Sequence, residues 1–160
     1  MIDIKSRAIK HFTITQYPNR IWLENTLRLY FAYSKEQPPN ILITNNDGIF
    51  GNWLGPFLKR YFEIKRIRTP IKSPLCNIYA ERMVRTFREE LIDRIIFFGR
   101  KDLNQYLKEY IEYYNHDRSH YSLEFNAPEK NFRTNPSEVN CEILKKKVLG
   151  GLITSFSRAA

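Results

Sequence analysis

The sequence predicts an α/β fold. Short apolar runs bounded by turn residues alternate along the chain with longer stretches whose apolar residues recur at helical spacing. The 160 residues suffice for one domain with a sizeable core, and 42% apolar with 14% aromatic content argues for a folding chain over a disordered one.

Residues 8–14 alternate as Ala-Ile-Lys-His-Phe-Thr-Ile and predict a first strand. Pro18-Asn19-Arg20 breaks the chain. Residues 21–34 then predict an amphipathic helix carrying Ile21, Leu23, Leu27, Leu29, Tyr30 and Phe31, ended by Gln37-Pro38-Pro39-Asn40. Ile41-Leu42-Ile43-Thr44 is a short apolar run with the character of a buried strand. Residues 48–62 predict a turn and a helix with Trp53, Leu54, Phe57, Leu58 and Tyr61 on one side, and 63–68 a second short strand. A two-proline loop follows. Residues 77–97 hold the longest helical pattern, with Ala80, Val84, Phe87, Leu91 and Ile95 on one stripe and Gly99 as its stop. A last helix is expected over about 101–116, with Leu103, Leu107, Tyr110 and Tyr114 facing the core. Beyond Arg118 the composition turns to Asn, Pro, Ser and Lys, and an irregular tail with at most a short strand is expected.

A net charge of +9 and a pI near 9.6 point to a polyanionic partner, of which nucleic acid is the commonest. Lys145-Lys146-Lys147, with Lys59, Arg60, Lys65, Arg66 and Arg68, either tracks a phosphate backbone or forms an ordinary solvated face, and the sequence weighs the two evenly. Cys76 and Cys141 make neither a disulfide framework nor a Cys-x-x-Cys pair, which fits a reducing compartment. No apolar run approaches the ~20 residues needed to cross a bilayer. A soluble, cytoplasmic protein with no membrane partner and no small-molecule substrate is expected.

Three motifs carry chemical information. Asn45-Asn46-Asp47-Gly48-Ile49-Phe50 follows the 41–44 run, Ser73-Pro74-Leu75-Cys76-Asn77-Ile78-Tyr79-Ala80-Glu81-Arg82 opens the long helix, and Tyr113-Tyr114-Asn115-His116-Asp117-Arg118-Ser119-His120 closes the last one. Read with these motifs, the chain from Ile41 onward resembles the integrase core (catalytic) domain of bacterial insertion-sequence transposases, in the DDE, RNase H-like superfamily. That family shows Asp-x-x-Ser-x-Phe after a strand, Ser-Pro-x-x-Asn-x-x-x-Glu-Arg at a helix start, and Tyr-Tyr-Asn-x-x-Arg-x-His later. The interval from Asn45 to Glu81 matches the one the family keeps between its second Asp and its Glu, and Gly150-Gly151-Leu152 is similar to the family's tails.

The resemblance implies phosphoryl transfer on DNA, in which two Mg²⁺ (or Mn²⁺) ions about 4 Å apart activate the attacking oxygen and stabilise the leaving one. Such ions need hard carboxylate ligands, two Asp and one Glu in this family. Glu81 corresponds to the metal-binding glutamate. Arg85 and Arg88 lie further along the same helix as candidate DNA-phosphate contacts. Asn115, Arg118 and His120 match a motif of structural or DNA-proximal role. Asn45 stands where the second aspartate belongs, and a neutral amide replaces a full negative charge. Asp3, in Ile2-Asp3-Ile4-Lys5-Ser6-Arg7, matches a turn residue and not the first catalytic acid.

The resemblance therefore implies a partial catalytic core over 1–125 with an irregular basic tail over 126–160. The RNase H-like sheet, of order 3-2-1-4-5, would lack its first strand and most of its second, and the fragment would be prone to aggregate alone. The expected function is that of a DNA-integration core inactive in this chain. The alternative is a non-catalytic regulator binding DNA, full-length transposase or a second copy. A third possibility is a nuclease using Asp47 and Glu81 with another acid such as Asp3. Against that, Asp47 precedes Gly48 and fits ordinary turn chemistry. His116 and His120 are four apart but lack a third ligand at a recognisable spacing. Cys76 is expected to be partly buried and inert, and Tyr106, Tyr110, Tyr113 and Tyr114 to serve packing.

Overall fold

The computed structural model describes residues 1–71, 74–129 and 143–158. These fall into two compact units, one of Thr13–Arg82 and one combining Met1–Phe12 with Met83–Ala160. Ser73, Cys141 and part of the tail expected over 126–160 lie outside the described residues.

The Thr13–Arg82 unit is a strand–helix–strand motif preceded by a helix. Helix α1 (Arg20–Tyr33) begins where the Pro18 break predicts, because the Asn19 side chain accepts a hydrogen bond from Trp22 N at 2.8 Å, a cap worth about 1 kcal/mol. Leu23 and Leu27 are buried, whereas Ile21 and Leu29 face solvent. Strands β1 (Ile41–Thr44) and β2 (Lys65–Arg68) pair in parallel with Ile41 opposite Lys65 and Thr44 opposite Arg68. The crossover between them is helix α2 (Leu54–Phe62), whose Leu54, Phe57 and Leu58 are buried. Glu63, at φ +60°, adopts the left-handed conformation that ends α2 and turns the chain toward β2. The expectation that 41–44 is a buried strand holds only at its end. Thr44 is buried, but Ile41 and Ile43 remain exposed, since α2 packs on β2 and a two-stranded sheet leaves β1 a single neighbour.

In the other unit the core gathers around helix α4 (Arg100–His116) and the later part of helix α3 (Ile78–Glu90). Leu107, Tyr110 and Tyr114 are buried along α4, as their spacing predicts. Phe87 of α3 lies between Phe12, stacked at 5.0 Å, and the edge of Tyr110 at 4.8 Å.

Three sequence expectations differ from the structure. The segment 8–14 is no strand. It makes one bridge, Ile2 to Ile9, with backbone bonds from Asp3 N to Ala8 O and from Lys10 N to Met1 O, and it buries Ala8 and Ile9, while Ile9 N and O turn to the Asn115 side chain and extend no ladder. The helix expected to reach Phe97 ends at Glu90. Leu91, at φ −124° and ψ −64°, leaves the helical region and is fully buried, and Arg94 Nε holds the Glu89 carbonyl at 2.8 Å. Gly99 accordingly precedes α4 and does not stop α3. Within the expected irregular tail, strands β3 (Ile143–Val148) and β4 (Ile153–Arg158) form an antiparallel hairpin. Its turn needs positive φ at Leu149, Gly150 and Gly151, which explains the glycine pair there. Val148 and Leu149 are buried, and Leu149 N donates to Glu109 Oε1 of α4 at 2.5 Å.

Among the described residues the sheets are β1–β2 and β3–β4, and the mixture of helices and strands agrees with the α/β expectation. Among the described residues no helix is long and apolar enough to cross a membrane.

Candidate functional site

The acidic positions belong to the Thr13–Arg82 unit. Asn45, Asn46 and Asp47 form a turn at the carboxyl end of β1, the end of a parallel sheet at which ligands ordinarily sit. Each side chain in the turn serves the backbone. Asn45 Oδ1 accepts from Asp47 N at 3.2 Å, Asn46 Nδ2 donates to the Thr69 carbonyl at 2.6 Å, and Asp47 Oδ1 accepts from Ile49 N at 3.0 Å. The last bond caps a 3-10 turn over Gly48–Phe50, so the Asp-Gly pair acts as turn chemistry.

Glu81 lies exposed in the first turn of α3 and makes no hydrogen bond or ion pair with a described residue. Cys76, just before α3, is exposed and not partly buried as expected. No three His, Cys, Asp or Glu side chains gather into a metal-binding group among the described residues. The donor set does not fit a two-metal centre. Asn45 supplies a neutral oxygen, and one Asp47 oxygen is already committed to its cap. Asp3 is occupied in a separate turn, accepting from Ser6 N at 2.6 Å and Ser6 Oγ at 2.8 Å, which is the turn role its motif implies. These bonds hold its carboxyl below the usual range, with the Ser6 backbone bond the largest cause.

The cationic and histidine positions belong to the other unit. Arg85 and Arg88 are exposed on α3. Asn115 is buried and clamps the N-terminal segment, accepting from Ile9 N at 2.9 Å and donating to Ile9 O at 3.1 Å. Arg118 forms a forked pair with Glu90, Nε at 3.1 Å from each oxygen and Nη2 at 2.7 Å from Oε1. Tyr110 donates to Glu90 Oε2 at 2.7 Å, and the Arg118 guanidinium lies 5.5 Å from the Tyr114 ring centre. Burial pushes Glu90 up, but the Arg118 and Tyr110 hydrogen bonds and the charges of Arg118 and Arg94 outweigh it, and its carboxyl titrates below the usual range. Burial, then Glu90, pushes the Tyr110 phenol well above its usual range.

His120 packs its ring edge-on to Tyr114 at 4.8 Å, and its backbone N donates to Asn126 O at 3.1 Å. Burial and the nearby Arg118 push its imidazole down to about 4, so it is neutral at pH 7. His116 stands 3.5 Å from Glu112 and 3.7 Å from Glu129, facing carboxylates. The side chains of Asn115, Arg118 and His120 thus make contacts within the fold, and Glu90, which Arg118 and Tyr110 share, is a residue the motif itself does not contain.

Residues 63–128 match the integrase core domain family. This integrase core match contains Glu81, Arg85, Arg88, Asn115, Arg118 and His120, and it begins after Asn45 and Asp47. It bears out, over that segment, the resemblance to an integrase core domain. No curated protein shows a significant match to the chain.

Proposed function

We propose that this chain serves DNA integration as a DNA-binding protein on an integrase core, related to the insertion-sequence transposases, without strand-transfer chemistry of its own. The observation that carries this reading is Asn45. It occupies the second acidic position, at the carboxyl end of β1, with its amide oxygen turned onto Asp47 N. Strand transfer needs convergent carboxylates to hold divalent metal, and here a neutral amide stands opposite Glu81 in the family pattern. Binding remains as the role. The +9 charge and the exposed Arg85 and Arg88 of α3 support DNA as the partner, and full-length transposase or a second copy are further partners on this reading. A core over 1–125, a basic segment over 126–160 and a cytoplasmic, nucleoid-associated location belong to the same proposal.

The test is nicking and strand transfer on supercoiled DNA in Mg²⁺ or Mn²⁺, beside a binding titration over a range of salt. Duplex binding that weakens steeply with salt, needs no metal and yields no product is expected. Metal-dependent nicking by the wild-type chain that vanishes in Glu81→Gln would overturn the reading in favour of a nuclease.

A further inference from the structure

Beside the Asn45–Asp47 turn lies a concentration of positive charge that no carboxylate pairs with among the described residues. Arg66 and Arg68 are two apart on β2, so both side chains leave the same face of the strand. Arg66 Nε donates to Thr44 Oγ1 at 2.9 Å and Nη1 to the Gly51 carbonyl at 2.6 Å. Arg68 Nη2 donates to Asn52 Oδ1 at 2.6 Å. The two guanidinium groups thus converge on the segment Gly51-Asn52 that leads into α2.

Every one of these acceptors is neutral. Among the described residues no carboxylate pairs with either arginine, and the first turn of α2 contains no acidic residue. Elsewhere the chain neutralises its half-buried cations, as Glu90 does for Arg118 and Glu129 for Lys10. Arg66 is half-buried, and burial together with the charge of Arg68 lowers its pKa, which is the mark of cations crowded without a counter-charge. A guanidinium has five N–H donors in a planar fork, so both side chains keep hydrogens to offer after the bonds above. Held in place by Thr44, Gly51 and Asn52, they meet an incoming anion with little further loss of side-chain freedom.

We infer that Arg66 and Arg68 form an anion site at the carboxyl end of the β1–β2 pair that takes phosphate oxygens, supplied by the backbone of DNA. The inference rests on the DNA-binding reading and sharpens it, since a position where the family gathers carboxylates around cations here favours the opposite charge. The remaining question of source, a phosphodiester or free inorganic phosphate, is settled by titrating each.

The experiment follows the Nε–Hε signals of the two arginines in the ¹⁵N-labelled full chain during addition of a short duplex or of inorganic phosphate. Duplex-induced shifts of both signals are expected. The Arg68→Gln variant should bind duplex with a slope of log K against log salt shallower by about 0.9, the loss of one phosphate contact. Arg68 is preferred for substitution because Arg66 also holds Thr44 and Gly51. Arg66→Lys, which keeps charge but loses the fork, should weaken binding without altering that slope. Shifts with phosphate but not duplex uphold the anion site and overturn the DNA reading. Silence with both ligands, or an unchanged slope in Arg68→Gln while the wild type binds duplex, overturns the anion site and leaves DNA binding to other residues.

Discussion

The polar groups around Glu90 and those at the carboxyl end of β1 are put to opposite uses. Around Glu90 each charge meets its opposite at hydrogen-bond distance. Arg118, Tyr110 and the carboxylate close on one another, and Asn115 spends both ends of its amide on Ile9. At the end of β1 the turn amides hold the backbone, Asp47 caps one short turn, and two guanidiniums rest on neutral acceptors. A satisfied buried network stabilises and fixes a fold, whereas surplus charge of one sign weakens the fold locally and invites a ligand. The motif nearest the C-terminal end of the match makes its contacts within the fold, whereas Arg66 and Arg68, near the start of the match, rest on neutral acceptors.

If that contrast is correct, the largest losses of stability come from the satisfied network. Asn115→Ala strands a buried N–H and a buried C=O of Ile9, and should cost about 3 kcal/mol in thermal or urea unfolding. Asn115→Asp should also destabilise, because its carboxylate cannot donate to Ile9 O. A loss too small to measure would mean that residues 1–12 are not held by this clamp. Glu90→Gln comes next, at about 2 kcal/mol, since it leaves Arg118 without a counter-charge while both side chains retain some contact with water. Arg118→Met paired with Glu90→Gln should recover part of that loss, and strict additivity of the two would refute the coupling.

The same network fixes a pH dependence. Between 6.5 and about 4 the unfolded chain binds a proton on His120 that the folded chain refuses, so stability falls as pH drops through that window. His11, lowered by burial and then by the N-terminal amine, adds to the same slope. Glu90 acts lower down, its contribution being complete above its ordinary value of 4.5 and lost as pH falls through its depressed folded value. His120→Phe keeps the ring contact with Tyr114 and should flatten the fall of Tm between pH 6.5 and 4.5. An unaltered profile would assign the slope elsewhere.

Much of this was legible in the sequence wherever local chemistry and periodicity agreed. Asn19 after a proline gave α1 its start, and the 41–44 and 63–68 runs flanking an apolar helical stripe gave the parallel pair. The errors came where tertiary contacts overrode a local pattern. The alternation of 8–14 is real, but Asn115, more than a hundred residues away in sequence, supplies its partner. The apolar stripe continues past Glu90 to Leu91 and Ile95, but Leu91 is buried with its backbone outside the helical region, and the helix breaks there. The hairpin did carry a signal, Gly150-Gly151 between two apolar stretches, which the polar composition upstream obscured. Glu90 was invisible because an acid at the end of a helix has no motif until Arg118 folds onto it.

The smallest expected effect is also the one that bears most directly on chemistry. Asn45→Asp restores the missing acid of the family pattern with an oxygen that can still accept from Asp47 N, so the turn should survive and Tm should not change measurably without metal. Its new charge faces Asp47 two residues on, while Arg66 and Arg68 supply positive charge at the same end of the sheet. Divalent metal needs several oxygens converging at once, and one more carboxylate beside an occupied cap does not provide them. Added Mg²⁺ should therefore leave the Tm of Asn45→Asp where it was. A rise with Mg²⁺ in Asn45→Asp that is absent from Asn45→Asp combined with Glu81→Gln would show that the two positions converge, and that one amide alone separates this chain from metal binding.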